Sequence, residues 1–282
     1  MRPLSLVLAA ALFSAPPAPA SPASPASPAP TYEIFALRYA TIPDFPLRGL
    51  VAGAPRGQRV PLAMTFWLLR GNGKVILFDA GFYRDKFVTQ WKPQDYVTPA
   101  QAVERLGIEP GDITDIVISH IHWDHADGVD LFPNAHVWLQ KDEYDYYVGP
   151  GGAPMHPAID SLDSAMLFAL QAQGRVTKID GDDREIFPGI RVYTGGKHTY
   201  ASEYLSAPTR SGTVVLASDN VYLYQNLDQH RPIAQTLDSL SNLAAQTRML
   251  TIASKPGLIV PGHDPLVFER FPKVAKDVVR ID

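Results

Sequence analysis

The sequence predicts an α/β fold in which strands and helices interleave through two comparable halves, residues 31 to 174 and 175 to 282. Three observations lead there. Short runs rich in β-branched and aromatic residues alternate with segments whose apolar residues recur at helical spacing. Capping residues, prolines and glycines punctuate the joins between them. Finally, 46% of the 282 residues are hydrophobic, enough for a sizeable core, because a chain of about 300 residues buries roughly three quarters of its unfolded surface.

The chain opens with Arg2 and a ten-residue apolar run, Leu4 to Phe13, and then small residues ending in Ala18-Pro19-Ala20. A positive start, a short apolar stretch and a small-residue cleavage site are the marks of a secretory signal peptide over residues 1–20, which makes a periplasmic or secreted location the expectation. The run is well short of the ~20 residues that span a bilayer, and no Cys is present to carry a lipid, so no stable membrane anchor is expected. Ser21 to Pro30 repeats Ser-Pro-Ala three times. Its prolines favour extended structure over a packed core, so residues 21–31 are a spacer ahead of a single domain, 32–282.

Within that domain, Tyr32 to Arg38 and Met64 to Arg70 read as strands, and Gly71-Asn72-Gly73 turns the chain into a third, Lys74 to Phe78. Thr98-Pro99-Ala100-Gln101 supplies an N-cap, a proline at the first helical position and a capping-box Gln, opening a helix that ends near Gly107. Ile113 to Ser119 is a short buried strand leading into a histidine cluster. Asp160 to Gln173 is a helix stopped by Gly174. Arg175 to Ile179, Ile190 to Thr194 and Thr213 to Ala217 are further strands, and Leu237, Leu240 and Ala244 mark one face of a long helix. Leu258 to Val260 is a last buried strand, and Glu269 to Val279 a short closing helix. The connections 40–62 and 82–91 are long loops.

Charge narrows the partners. The chain has 25 Lys plus Arg against 29 Asp plus Glu, a net −4, and loss of Arg2 with the signal peptide leaves 24 − 29 = −5. No global basic field exists to gather nucleic acid, which leaves small molecules as the expected partners. With no Cys there is no disulfide framework, Cys nucleophile or thiolate ligand, so any metal must sit on His and carboxylate.

The chemistry concentrates just past the strand Ile113 to Ser119. There the chain reads His120-Ile121-His122-Trp123-Asp124-His125, three of its eight histidines in six residues. Imidazoles at the first and third positions of an extended segment point the same way, while a turn from Asp124 redirects the next two side chains to a second point. One cluster can thus serve two metals. Three or four His and carboxylate donors per ion, completed by water, suit catalytic zinc, and iron, manganese or cobalt accept the same donors.

The segment Ser119-His120-Ile121-His122-Trp123-Asp124-His125-Ala126-Asp127-Gly128 resembles the signature of the metallo-β-lactamase superfamily. Later elements of that family follow in order: Asp79-Ala80-Gly81, a Gly-Gly-Lys-His-Thr segment with His198, a strand-end Ser-Asp with Asp219, and Pro261-Gly262-His263-Asp264. The resemblance spans about residues 32 to 272. It implies a four-layer αβ/βα sandwich, two β-sheets flanked by helices with the metals at one edge. It also implies two divalent metal ions, most simply zinc: His120, His122 and His198 on one, Asp124, His125 and His263 on the other, Asp219 and a hydroxide bridging. His136, His156 and His230 match nothing in the pattern, although His156 and His230 fall on loops that can approach the site. The loop after the third ligand departs from the common His-Thr-Pro-Gly-Ser, reading His198-Thr199-Tyr200-Ala201-Ser202 with Lys197 inserted before it.

Within the superfamily, true β-lactamases place Cys or Ser where Asp219 stands. Glyoxalase II-type thioesterases extend well past the metal core, whereas only 19 residues follow His263 here, and nuclease branches carry an extra domain and a basic groove. The chain is most similar to the N-acyl-homoserine lactonase branch, which carries a tyrosine three positions after the bridging Asp, supplied here by Tyr222. That resemblance implies hydroxide attack on a lactone carbonyl, with Tyr222 stabilising the oxyanion and Asp124 passing a proton to the leaving oxygen. A small-molecule ester or lactone with an apolar tail is the expected substrate. Apolar and aromatic residues of the long connections (Ile42, Phe45, Leu47, Leu50, Val51, Phe82, Tyr83, Phe87, Trp91, Met155, Met166, Phe168) suit an acyl chain, or else pack the loops down or form a homodimer contact. The alternatives are a broad periplasmic metallo-esterase or thioesterase on the same site, and a non-catalytic metal-binding protein of the same fold.

Overall fold

The computed structural model describes residues 30–281, so the expected signal peptide and all but the end of the spacer lie outside the described residues. β1 (Glu33–Pro46) and β2 (Arg59–Gly71) form a long antiparallel pair, and β3 (Lys74–Phe78) folds back on β2. The turn between β2 and β3 has positive φ at Asn72 (51°) and Gly73 (72°), the geometry of a two-residue hairpin whose twist matches the strands. After α1 (Asp85–Trp91) and α2 (Pro99–Glu104), the chain enters β4 (Asp115–Val117), then α3 (Trp123–Ala126), β5 (His136–Gln140), α4 (Lys141–Tyr147), α5 (Ser161–Ala172) and β6 (Val176–Ile179). A second set follows: β7 (Arg184–Phe187), β8 (Ile190–Thr194), β9 (Glu203–Thr209), β10 (Gly212–Ser218), α6 (Tyr224–Asp228), α7 (Ser239–Ile252), β11 (Ile259–Pro261) and α8 (Val267–Arg270). β12 (Lys273–Ala275) and β13 (Val278–Arg280) end the described chain.

Among the described residues these strands build an eight-stranded sheet, ordered β12-β13-β1-β2-β3-β4-β5-β6, and a five-stranded sheet, β11-β10-β9-β8-β7. Side-chain alternation makes four layers of them. On β2, Phe66 and Leu68 face a core shared with Ala102 and Val103 of α2 and Leu167 and Leu170 of α5; Trp67 and Leu69 face the other sheet. On β10, Val214 and Leu216 meet that middle core, whereas Val215 and Ala217 pack on Ala245 and Met249 of α7. Strands buried on both faces read as continuous apolar runs, which is how these appear in the sequence.

Elements with a local signal stand where expected. Thr98 and Gln101 close their capping box at the head of α2, and Asp160 caps α5 through Leu162 N before Gly174 (φ 71°) ends it. Four expectations need correction. Residues 40–46 are strand: Pro43 and Asp44 fall in a bulge between the pairs Ile42↔Leu62 and Phe45↔Val60, where no ladder N–H is needed. Residues 85–91 of the second expected loop form α1. The helical face marked by Leu237 and Leu240 is exposed, at 69% and 78%; α7 instead buries Asn242, Ala245, Gln246 and Met249, because its amide side chains bond Ile233 N, Asn220 O and Arg231 O. The closing helix Glu269–Val279 does not form: α8 stops at Arg270 ahead of Pro272, and β12 and β13 join the first sheet through β1. That pairing, with β6 beside β5, also means the halves divided at residue 174 are not the two sheets. β5, β7, β9, α4 and α6 carry no local signal strong enough to have been read.

Candidate metal centre

Strand ends deliver the polar residues to one edge of the sandwich. β4 ends at Val117, and its continuation carries His120 and His122, the latter in extended backbone, before α3 turns Asp124 and His125 toward a second group. Asp219 follows β10 and His263 follows β11, parallel neighbours paired at Ser218↔Pro261. His198 lies in the loop between β8 and β9.

The structure brings all seven predicted ligand residues together in two groups. His120, His122, His198 and Asp219 form one, Asp124, His125 and His263 the other, the donor atoms within each group lying within 4.8 Å of one another. Nε2 of His120 and Nε2 of His198 each stand 3.0 Å from His122 Nδ1, and 3.7 and 3.2 Å from Asp219 Oδ2. On the other side, Asp219 Oδ1 is 3.4 Å from His125 Nε2 and 2.9 Å from His263 Nε2, which are 3.6 and 3.7 Å from Asp124 Oδ2. Donors held tetrahedrally at about 2.0–2.1 Å from an ion sit about 3.3–3.4 Å apart, which these spacings match. Asp219 divides its two oxygens between the groups.

The outer nitrogens are already committed, so the inner ones are free for metal. His125 Nδ1 meets Asp79 Oδ2 at 2.8 Å, His263 Nδ1 meets Ala63 O at 3.0 Å, His198 Nδ1 meets Gln235 O at 2.7 Å and His120 Nδ1 meets Ser119 Oγ at 2.9 Å. His125 Nε2 and Asp219 Oδ1 are buried with no hydrogen-bond partner among the described residues, which is costly unless a cation lies between them. Burial and the neighbouring imidazoles hold His120 well below the ordinary histidine range and bring His122 down to about 3, so both rings are neutral donors. For His125 and His263 burial also opposes charge, but the Asp219 and Asp124 carboxylates outweigh it and raise both. The site attracts positive charge, and its donor set fits two divalent cations: this is the dinuclear metal-binding centre.

Residues to which the sequence assigned no role hold these ligands in place. Asp79, buried at a positive φ of 65°, accepts from His125, from Ser119 N and Oγ, and from Ser218 Oγ. Glu143 of α4, also buried, accepts from Ile121 N, Thr199 Oγ1 and Ala201 N, tying the His120–His122 segment to the His198 loop. Burial raises its carboxyl above the ordinary range. The departure at Lys197 is resolved by a positive φ of 57° and by Thr236, whose hydroxyl donates to Gly196 O or Lys197 O. Asp79 had a signal, the Asp-Ala-Gly turn; Glu143 had none.

Beside the centre opens a cavity of about 280 Å³ lined by Ile42, Phe45, Leu50, Leu62, Met64, Trp91, Trp123, Ala158 and Gln235, with His122, Asp124, Asp219, Tyr222 and His263 at its polar end. The apolar residues of segments 40–62 and 82–91 thus contribute a wall; Met155 is 62% exposed instead. Tyr222 is buried, its hydroxyl 3.4 Å from His198 Nδ1. Of the other histidines, His156 lines an adjoining pocket with Trp123 and Ala158, His136 of β5 bonds Thr177 of β6, and His230 lies near Thr247, away from the cavity.

The metallo-beta-lactamase superfamily model matches residues 60–263. The chain is 30% identical over 190 residues to an N-acyl homoserine lactonase of Bacillus sp, covering 67% of this chain and 70% of that protein. Its fold is similar to that of an N-acyl homoserine lactone hydrolase solved with the product N-hexanoyl-L-homoserine at its catalytic metal centre (TM-score 0.72, 20% identity, 87% of this chain and 98% of that one). It is also similar to the dizinc quorum-quenching lactonase AidC (TM-score 0.64, 19% identity, 83% and 89%). With the family model spanning most of the domain and the paired His/Asp groups at the sheet edge, the chain belongs to the metallo-beta-lactamase superfamily and is a metal-dependent hydrolase.

Proposed function

We propose that the protein is a lactonase that opens the ring ester of N-acyl homoserine lactones. The observation that carries this reading is the joining of three features in one cavity: the two ligand groups, the Tyr222 hydroxyl beside them, and an apolar wall leading away. The ligand roles we assign are His120, His122 and His198 to one ion, Asp124, His125 and His263 to the other, and Asp219 to both. When bound, two such cations, zinc in this proposal, supply Lewis acidity at the attacking and leaving oxygens and an activated water as the nucleophile.

The chain's own residues do the rest. Burial raises the Tyr222 phenol above its ordinary range, so it keeps its proton at neutral pH and acts as a donor, not a base. The His198 Nδ1 proton goes to Gln235 O, which leaves the Tyr222 O–H free for the lactone carbonyl oxygen as charge develops there. Asp124 lines the same cavity and would take up the proton that the attacking water releases and pass it to the departing ring oxygen. Ile42, Phe45, Leu62, Met64 and Trp91 accept the acyl chain. No nucleophilic Ser or Cys is called for.

The test is elemental analysis of purified protein together with turnover of homoserine lactones, aryl esters, thioesters and β-lactams. Two metals per chain and highest kcat/KM on N-acyl homoserine lactones are expected. Faster turnover of aryl esters or thioesters would replace this reading with a general metallo-esterase. We further infer export, from the leader at residues 1–20. N-terminal sequencing of protein from the periplasm or medium should start at Ser21, and full-length protein confined to the cytosol would refute it.

A further inference from the structure

The cavity wall contains one side chain that neither metal binding nor apolar packing explains. Gln235 lies among Leu50, Leu62, Met64 and Tyr222 on that wall, and its backbone carbonyl holds His198 Nδ1 at 2.7 Å. Its position relative to the reaction centre is therefore tied to a metal ligand. The side chain is exposed but tethered: Nε2 donates to Gly49 O at 3.1 Å, beside Leu50. That bond settles which end of the amide is which. The nitrogen is spent on Gly49, and Oε1 has no protein hydrogen-bond partner among the described residues, leaving an oriented acceptor at the exposed rim of a mostly apolar cavity. Loop 230–238 and the 47–54 turn are tied to each other beside it, because Ala234 N bonds Leu50 O and Val51 bridges Ile233.

An acceptor presented to ligand selects a ligand with a donor. A lactone's ring ester has none, and an acyl chain has none. The secondary amide that joins an acyl chain to a homoserine lactone has a single N–H, between the ring and the tail. We infer that Gln235 Oε1 accepts this amide N–H, making Gln235 the residue that selects N-acyl lactones over alkyl lactones of the same length. The inference rests on the lactonase reading above and narrows its substrate class.

The experiment compares kcat/KM for N-octanoyl homoserine lactone and for γ-dodecalactone, an alkyl lactone without the amide, in wild-type protein, Gln235→Leu and Gln235→Glu, with metal content measured throughout. One neutral hydrogen bond is worth roughly three- to tenfold. Gln235→Leu should lower the ratio of the two specificity constants by about that factor, through KM on the amide substrate. Gln235→Glu retains an acceptor but cannot donate to Gly49 O, and should keep most of the preference. Were Gln235 only a strut for the 47–54 turn, both variants would slow both substrates alike, and the unchanged ratio would overturn the inference. Wild-type protein that opens neither lactone would overturn the lactonase reading and this inference with it.

Discussion

Tyr222 separates a lactone-opening site from a metal centre with an aromatic packed beside it. Its hydroxyl makes only the long 3.4 Å contact to His198 Nδ1, whose proton is already given to Gln235 O, so the ground state loses little without it. A donor that strengthens on a developing oxyanion is worth about 1.5–3 kcal/mol, roughly ten- to a hundredfold in rate. Tyr222→Phe should therefore lower kcat on acyl homoserine lactones by that factor while two metals and the melting temperature are retained. An unchanged kcat on every lactone would remove Tyr222 from the mechanism. The residues legible in the sequence at this scale are those whose chemistry restricts both type and spacing, such as His120-X-His122-X-Asp124-His125. Glu143 was illegible because its partners, Ile121, Thr199 and Ala201, offer backbone and hydroxyl groups that any sequence contains. The same holds for Gln235, whose meaning depends on Gly49, 186 residues away.

At the level of elements, the short helix α3 matters most, since it aims Asp124 and His125 away from His120 and His122. It is locked to the turn after β3: Ala80 N bonds His125 O and Gly128 N bonds Gly81 O, both at 2.8 Å. A Cβ at Gly128 would lie 2.1 Å from Ala80 O and 3.0 Å from Ala80 C, a clash with backbone that no rotamer relieves. Gly128→Ala should cost about 3 kcal/mol and lower metal occupancy, read by thermal melts and elemental analysis; wild-type values for both would show that the turn can give way. Alongside, Arg84 pairs with Asp127, with Asp163 at 2.7 Å and with Asp130 at 3.1 Å, one cation among three carboxylates. Burial, then the Asp127 charge, pushes Asp163 up to about 8. In the unfolded chain it titrates near ~3.9. Between those values the folded state binds more protons than the unfolded one, so this group's contribution to stability falls as pH rises from ~4 to ~8. Asp163→Asn, which cannot ionise and leaves Arg84 two partners, should gain stability over wild type as pH is raised, with a larger difference in melting temperature at pH 9 than at pH 5. A difference that is the same at pH 5 and pH 9 would mean Asp163 is ionised beside Arg84 throughout. α2 and α5 were legible because a cap or a stopping glycine is a local signal. The buried face of α7 was not, since Asn242 and Gln246 are buried for hydrogen bonds that tertiary structure supplies.

Across the whole molecule, the alternation of strands and helices was enough for an α/β class, and the motif resemblance supplied the sandwich. The return of the chain end to the first sheet was not legible, because β13 pairs with a strand more than 200 residues earlier, at Phe35↔Arg280 and Leu37↔Val278. Such a pairing leaves no mark in a window of neighbouring residues, whereas Glu and Arg at 269–270 suggest a helix that Pro272 then forbids. The end carries none of the ligand residues, yet it belongs to both cores of the first sheet: Val278 packs toward the helices, Val279 and Ile281 toward the second sheet, and all three are fully buried. Asp277 adds an ion pair with Arg38 at 2.5 Å. Each such side chain contributes about 1.5–3 kcal/mol when buried, roughly 5–9 kcal/mol for three, against a total stability of about 5–15 kcal/mol for a typical domain. The loss would also bare β1 as an unpaired apolar edge, a template for aggregation. Deleting residues 273–282 should therefore abolish soluble, cooperatively melting protein, although every metal-centre residue remains. If the truncated chain instead melted within a few degrees of wild type and kept two metals, β13 would be an ornament on the sheet, and β1 a stable edge without it.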